Sequence, residues 1–235
     1  MDVRTPASAV RCLKADGLRQ VWLTHRDGES PRVLKTWPLN VWWLLRFMLG
    51  VSPPQRLARG SRILRDLGVA VPEVLSGPRL VADGRQFSVD TELAFVPGVS
   101  GWELLQNAAR SGSLDSADMR RAARSIGDIV ACLIRNGRFH RDLTLGNFVI
   151  DEDAGVWIVD TDSVRRMRNR VREIERMLGR LAAVPLHESM DLPAGVQRSV
   201  LMPVLRALPP HVRRALVRDL RSQVWVQSLQ ARRDS

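Results

Sequence analysis

The residues able to do chemistry crowd into one short stretch. Between Asp142 and Asp162 stand six carboxylates, Asp142, Asp151, Glu152, Asp153, Asp160 and Asp162, without a single Lys or Arg. The chain as a whole is strongly basic, with 36 Lys and Arg against 25 acids and a formal net charge of +11. An acidic island in such a chain is costly unless a cation compensates it. Mg²⁺, which takes hard oxygen ligands and usually arrives with phosphate, is the cation that fits. Lysine is the second clue: 34 of the basic residues are Arg and only two are Lys, Lys14 and Lys35. Arginine used almost everywhere reads as base composition, so a retained Lys, a compact point charge rather than a planar fork, stands out. Lys14 lies beside a turn in CLKADG and reads as a solvated strand end. Lys35 lies inside the apolar, β-branched run RVLKTW, where an unpaired amine is costly to bury. Its retention there calls for a function or a partner.

These residues need elements to position them. Residues 10–13, 20–24 and 32–37 read as strands, separated by the turn signals Ala15-Asp16-Gly17 and RDGESP at 26–31. This spacing predicts an antiparallel meander, with Pro38 ending its third strand. Helices are expected over 40–49 and 55–67, Pro54 suiting the first turn of the second and Gly68 closing it. Residues 69–75 and 87–95 read as two further strands around Asp83-Gly84. VPGVSG at 96–101 has the composition of a linker. Helices over 102–109 and 118–136 follow; in the second, Ala122, Ile126, Ile129, Val130, Leu133 and Ile134 form one apolar stripe. Residues 148–150 and 156–159 predict a hairpin, with Asp151, Glu152 and Asp153 as its polar turn. Residues 163–235 read as helices broken at Pro185, Pro193 and Pro209-Pro210. The expected class is α+β: a strand-rich lobe over 1–95, and a mainly helical lobe over 96–235 that contains the hairpin.

Composition excludes several alternatives. With 45% apolar residues the chain is neither disordered nor collagen-like. Cys12 and Cys132 make neither a disulfide framework nor a zinc cluster, which points to a reducing compartment. The N-terminal MDVRTPASAV lacks the pattern of a signal peptide. The longest apolar stretch, VWWLLRFMLGV at 41–51, contains Arg46 and falls short of the roughly 20 residues a bilayer span needs. A cytoplasmic location is therefore expected.

The island opens with His140-Arg141-Asp142-Leu143 and continues to Asn147, the pattern H-R-D-L-x-x-x-N, and Asp160 follows directly after an apolar strand. Here the sequence resembles the protein-kinase-like fold. The resemblance implies that Asp142 is the catalytic-loop Asp, Asn147 and Asp160 are the metal ligands and Lys35 is the strand-three Lys, with ATP and Mg²⁺ as cofactors. Asp160-Thr161-Asp162 stands where protein kinases carry D-F-G. The physical logic agrees. Phosphoryl transfer asks for charge neutralisation and in-line positioning, which two oxygen ligands, one lysine and one carboxylate base can supply. Order along the chain puts the hinge at 91–94, where backbone groups of Glu92 and Ala94 would bind adenine. His140 reads as a packing residue, Arg141 as an ion-pair partner of nearby carboxylates, and Asp162 as a supporting group or helix cap.

Departures from the protein-kinase pattern narrow the class. No A-P-E motif follows Asp160, and the opening hairpin has no G-x-G-x-x-G. The helix over 55–67 has no Glu, and Gly60 stands about where the Lys-pairing Glu is expected. Lys35 must then find Asp160, the nucleotide, or nothing, which leaves a pseudokinase or nucleotide-binding scaffold as the alternative. The short length, the LGVAVP turn at 67–72, Thr91-Glu92 followed by Pro97-Gly98, and IVDTD at 158–162 followed by Arg165-Arg166 are similar to the lipopolysaccharide core (Kdo/heptose) kinases. The similarity covers roughly residues 8–182. It implies transfer of the ATP γ-phosphate to a sugar hydroxyl of the inner core, at the inner face of the inner membrane. From Ser163 onward there are 15 Arg against six acids, which suits an anionic glycolipid acceptor or an anionic bilayer. The helix carrying Trp42-Trp43 either packs on the first lobe's sheet, the expected outcome, or rests at a membrane interface. No nucleic-acid-binding motif is present, so charge alone makes no case for that partner.

Overall fold

Short strands with turn residues between them build the first sheet. A computed structural model describes residues 9–16, 19–25, 28–83, 86–187 and 190–214. The turn residues Gly17 and Gly84 and the stretch 215–235, all read above, lie outside them. The strands β1 (Ala9–Asp16), β2 (Arg19–Thr24), β3 (Arg32–Leu39), β4 (Val74–Asp83) and β5 (Gln86–Ala94) pair antiparallel in the order β1-β2-β3-β5-β4. Lys35 in the middle strand faces Val21 of β2 on one side and Thr91 of β5 on the other. Pro38 does not end β3. Pairing with β2 stops at Thr36, so Pro38 needs a partner only toward β5, a position where a missing N–H is tolerated.

The fourth strand starts at Val74 rather than at 69. The Val69 N–H donates to Leu64 O and the Ala70 O accepts from the Ile158 N–H, while Pro72 has no N–H to give. Val69 and Val71 are buried as part of this turn and need no ladder. Two helices link the sheet's halves: α1 (Val41–Met48), capped by Asn40 Oδ1 accepting from the Trp43 N–H at 2.8 Å, and α2 (Pro53–Asp66). In α2, Gln55 Oε1 reaches back to the Ser52 N–H at 3.1 Å, and Pro53 and Pro54 fill the first turn. Trp37, Leu57 and Leu93, with Val33 and Val74 against them, form the core between α2 and the sheet.

The chain continues through β6 (Val99–Ser100), α3 (Gly101–Arg110), α4 (Ala117–Arg135), β7 (Arg138–His140), a 3-10 turn (Leu145–Asn147), β8 (Phe148–Ile150), β9 (Val156–Ile158), β10 (Val164–Arg166), α5 (Arg170–His187) and α6 (Ala194–Ala207). By contact, residues 1–104 with 146–164 form one compact unit, and 105–145 with 165–235 form another. The β8–β9 hairpin, which the sequence placed in the second lobe, clusters with the first unit. Its tie is visible at Gly98 (φ +139), where a Cβ would stand 2.2 Å from Ile150 O.

In the second unit the α4 stripe is buried at Ala122, Ile126, Val130, Leu133 and Ile134. Gly127 lets α6 approach to backbone distance: a Cβ there would lie 2.4 Å from Val200 O. Pro185 falls in the last turn of α5 and does not break it; the helix runs on to His187.

Candidate active site

Lys35 is held at the centre of the sheet by its β3 register and is only 6% exposed. Its Nζ donates to Val159 O at 3.3 Å and faces Asp160 Oδ1 at 3.5 Å, an ion pair more than a short hydrogen bond. Burial pushes the Lys35 pKa below the ordinary lysine value; the Asp160 charge opposes that shift, and Arg19 adds to it. Asp160 is itself buried, and its other oxygen, Oδ2, accepts from Arg19 Nη1 at 3.0 Å. Arg19 and Lys35 therefore take different oxygens of Asp160.

The pair assembles without a helix Glu because α2 grips the residue next to Asp160. At Gly60 a Cβ would stand 1.9 Å from Thr161 O, so the helix and the 160–162 segment meet backbone to backbone. Ser61 Oγ and Thr161 Oγ1 lie 2.8 Å apart, and Thr161 Oγ1 donates to Leu57 O at 2.9 Å. Both hydroxyl residues are buried. Position 60 has no room for a Glu, since main chain occupies the space its side chain would need.

Asn147 ends the 3-10 turn, half-buried, and its carbonyl accepts from the Val159 N–H at 3.0 Å. This backbone bond sets Asn147 beside the residue preceding Asp160, within the first unit. A carboxylate and an amide oxygen are hard donors of the kind Mg²⁺ accepts together with phosphate oxygens and water. Among the described residues no group of three or more His, Cys, Asp and Glu forms an all-protein metal cage. Asp162 is half-buried, and burial, then the neighbouring Asp160 charge, pushes its pKa up. Asp151, by contrast, organises its own turn, accepting from the Gly155 N–H at 2.6 Å and from Trp157 Nε1 at 2.8 Å.

Asp142 belongs to the second unit, half-buried in the turn that follows β7. His140 just before it is fully buried, its N–H on Met177 Sδ at 3.4 Å, which is the packing part expected of it. Glu92 lies in β5, its carboxylate taking Arg32 Nη1 at 3.1 Å. The Ala94 N–H donates to Glu73 O at 2.9 Å, so this backbone donor is committed to the protein itself.

No protein-family model matches the chain, and no curated protein matches it. Comparison of structures does find a similar fold. A solved structure of WaaP in complex with acyl carrier protein aligns with a TM-score of 0.64 at 18% identity, covering 95% of this chain and 88% of that chain. The chain shares the fold of that structure. With that fold established, Arg19 is the residue at this site that sequence reasoning missed, since an Arg among 34 carries no signal of its own.

Proposed function

We propose that the chain is an ATP- and Mg²⁺-dependent phosphotransferase that phosphorylates a sugar hydroxyl of the lipopolysaccharide inner core, a reading that draws on WaaP, a lipopolysaccharide core heptose kinase. The observation that carries it is the buried Lys35–Asp160 pair, 3.5 Å apart with Asn147 tied in beside it. In this reading Lys35 binds the α- and β-phosphates, and Asp160 and Asn147 would hold Mg²⁺. Bound Mg²⁺ supplies neutralisation of the phosphate charge. Asp142 accepts a hydrogen bond from the acceptor hydroxyl and takes its proton as that oxygen bonds to phosphorus. Adenine docks at the segment of Glu92 and Ala94. With the Ala94 N–H engaged, the segment's carbonyls, each with a second lone pair, are what it offers. The test is transfer of labelled phosphate from ATP to core oligosaccharide by the full chain. Wild type transfers label, and Asp142→Ala transfers about 10²-fold less or worse, the usual share of a general base. Equal transfer by the two chains contradicts the assignment.

A second reading, a nucleotide-binding scaffold, is favoured by one observation: α2 has no Glu and Gly60 bars one. Mg²⁺-dependent nucleotide binding without turnover on any acceptor would select it.

The same reading sets the chain against an anionic bilayer. Every residue of α1 is exposed or half-buried, with Val41 87% and Met48 76% exposed beside an exposed Trp42. From residue 36 to residue 65 there are five Arg and no acid. An apolar helix with Trp and nearby Arg is what an interfacial anchor on anionic lipid requires. Among the described residues no helix is long and apolar enough to cross a membrane. Co-sedimentation with anionic vesicles but not with neutral ones is the expected result, and equal recovery with both removes the charge contribution.

A further inference from the structure

We propose that Arg19 is a phosphate-binding residue of the nucleotide site, holding the β- and γ-phosphates of a nucleoside triphosphate where a glycine loop would otherwise hold them. The inference rests on the phosphotransferase reading and adds to it the device that replaces the missing loop.

Three observations converge on Arg19. It is the first residue of β2, in the last pair of the opening hairpin opposite Asp16. In the kinase fold this turn covers the phosphates with backbone N–H groups. Here Gly17 is the one glycine between residues 9 and 24, so the glycine-loop pattern is missing from the sequence. The Arg19 side chain is only 21% exposed, folded inward onto Asp160 Oδ2 at 3.0 Å. Finally, several cations gather on the carboxylates of this segment. Lys35 and Arg19 share Asp160, and Arg56 stands within electrostatic reach of Asp162.

The chemistry follows from that sharing. Asp160 cannot serve Arg19, Lys35 and a metal ion equally. Where Asp160 would hold a metal ion, its hold on Arg19 and Lys35 would weaken, and phosphate oxygens are the anions suited to take up those donors. A guanidinium suits this place better than a second lysine. It stays charged at any working pH and offers parallel N–H donors to phosphate. A purely structural role, Arg19 pinning the hairpin onto Asp160, would show no preference for the number of phosphates.

The experiment is calorimetric titration of the full chain with ATP, ADP, AMP and adenosine in Mg²⁺, for wild type, Arg19→Gln and Arg19→Lys. Arg19→Gln is expected to lose about tenfold or more in ATP affinity, the scale of a hydrogen bond to a charged group. It should lose less for ADP and nothing for AMP or adenosine, and Arg19→Lys should recover part of the loss. Unchanged ATP affinity in Arg19→Gln, or an equal loss for ATP and adenosine, overturns the assignment. Should Arg19→Gln fail to fold, Arg19→Lys is read the same way: a loss confined to ATP supports the proposal, and an equal loss or none overturns it. A wild-type chain that binds no nucleotide defeats the phosphotransferase reading itself, so the two failures are distinguishable.

Discussion

Two consecutive helices reverse the usual relation between polarity and burial. α2 carries Arg56, Arg59, Arg62 and Arg65, yet it buries Pro53, Pro54, Leu57, Gly60, Ser61 and Leu64. α1, apolar except for Arg46, has no fully buried residue; Trp43, Leu44 and Phe47 are half-buried. Hydrophobic content does not decide which helix goes inside; backbone complementarity does. Gly60 brings α2 onto the Thr161 main chain, and two hydroxyls close the seam. The polar helix is thereby built into the site, while the apolar helix keeps Val41, Trp42, Leu45 and Met48 exposed. An exposed apolar surface of this kind is a feature of binding faces more than of folding.

The contrast can be broken at α2. Gly60→Ala puts a Cβ against a main-chain oxygen that cannot step aside, and we expect a loss of roughly 3 kcal/mol, at the upper end for overpacking. Gly60→Glu, which writes the usual kinase Glu back into the sequence, should lose at least as much rather than improve catalysis; urea unfolding and turnover check both. Thr161→Val removes the hydroxyl that joins Ser61 Oγ to Leu57 O in the buried seam and should cost about 1–3 kcal/mol by the same measurement. A smaller effect is pH-dependent. Burial lowers the Lys35 pKa, so the unfolded chain binds that proton more tightly. Between the folded value and the ordinary one of about 10.4, folding stability rises with pH. The stability of wild type relative to Lys35→Met should therefore climb as pH is raised from neutral; a flat difference contradicts the shift. The smallest stability effect belongs to α1. Trp42→Ser with Met48→Ser should change stability by no more than about 0.5 kcal/mol per site, as exposed positions do. Vesicle binding should nevertheless fall. A loss as large as that of Gly60→Ala would erase the contrast.

What could be read from the sequence depended on contrast with its background. Lys35 stood out because lysine is almost absent, and Asp142, Asn147 and Asp160 because their spacing falls in an acidic island. The structure brings Lys35 and Asp160 together, an outcome the sequence left open. Arg19 was invisible for the opposite reason, hidden in an Arg-rich chain. Gly60 read as a missing side chain, whereas its function is the close approach it permits, a property of a partner, Thr161, that lies far away in sequence. The strand at 69 was misplaced because apolar Val69 and Val71 are buried in a turn, and burial alone does not specify strand. β7 and β10 are three residues each, too short to show a period. The allegiance of the β8–β9 hairpin is set by contacts with Ala70 and Gly98, which lie far away in sequence.

The central claim is that Asp160, gripped through Thr161 and shared by Lys35 and Arg19, is the metal-binding carboxylate of a working phosphotransferase. Mg²⁺-dependent transfer of phosphate from ATP to core oligosaccharide by wild type and by Asp160→Ala tests it most directly. The account predicts transfer by wild type and a loss of about 10³-fold or more in the variant, on the scale of removing one preorganised charge from a phosphoryl-transfer site. Equal transfer by the two proteins, or a wild type that binds ATP and Mg²⁺ and transfers nothing to any acceptor, would contradict it.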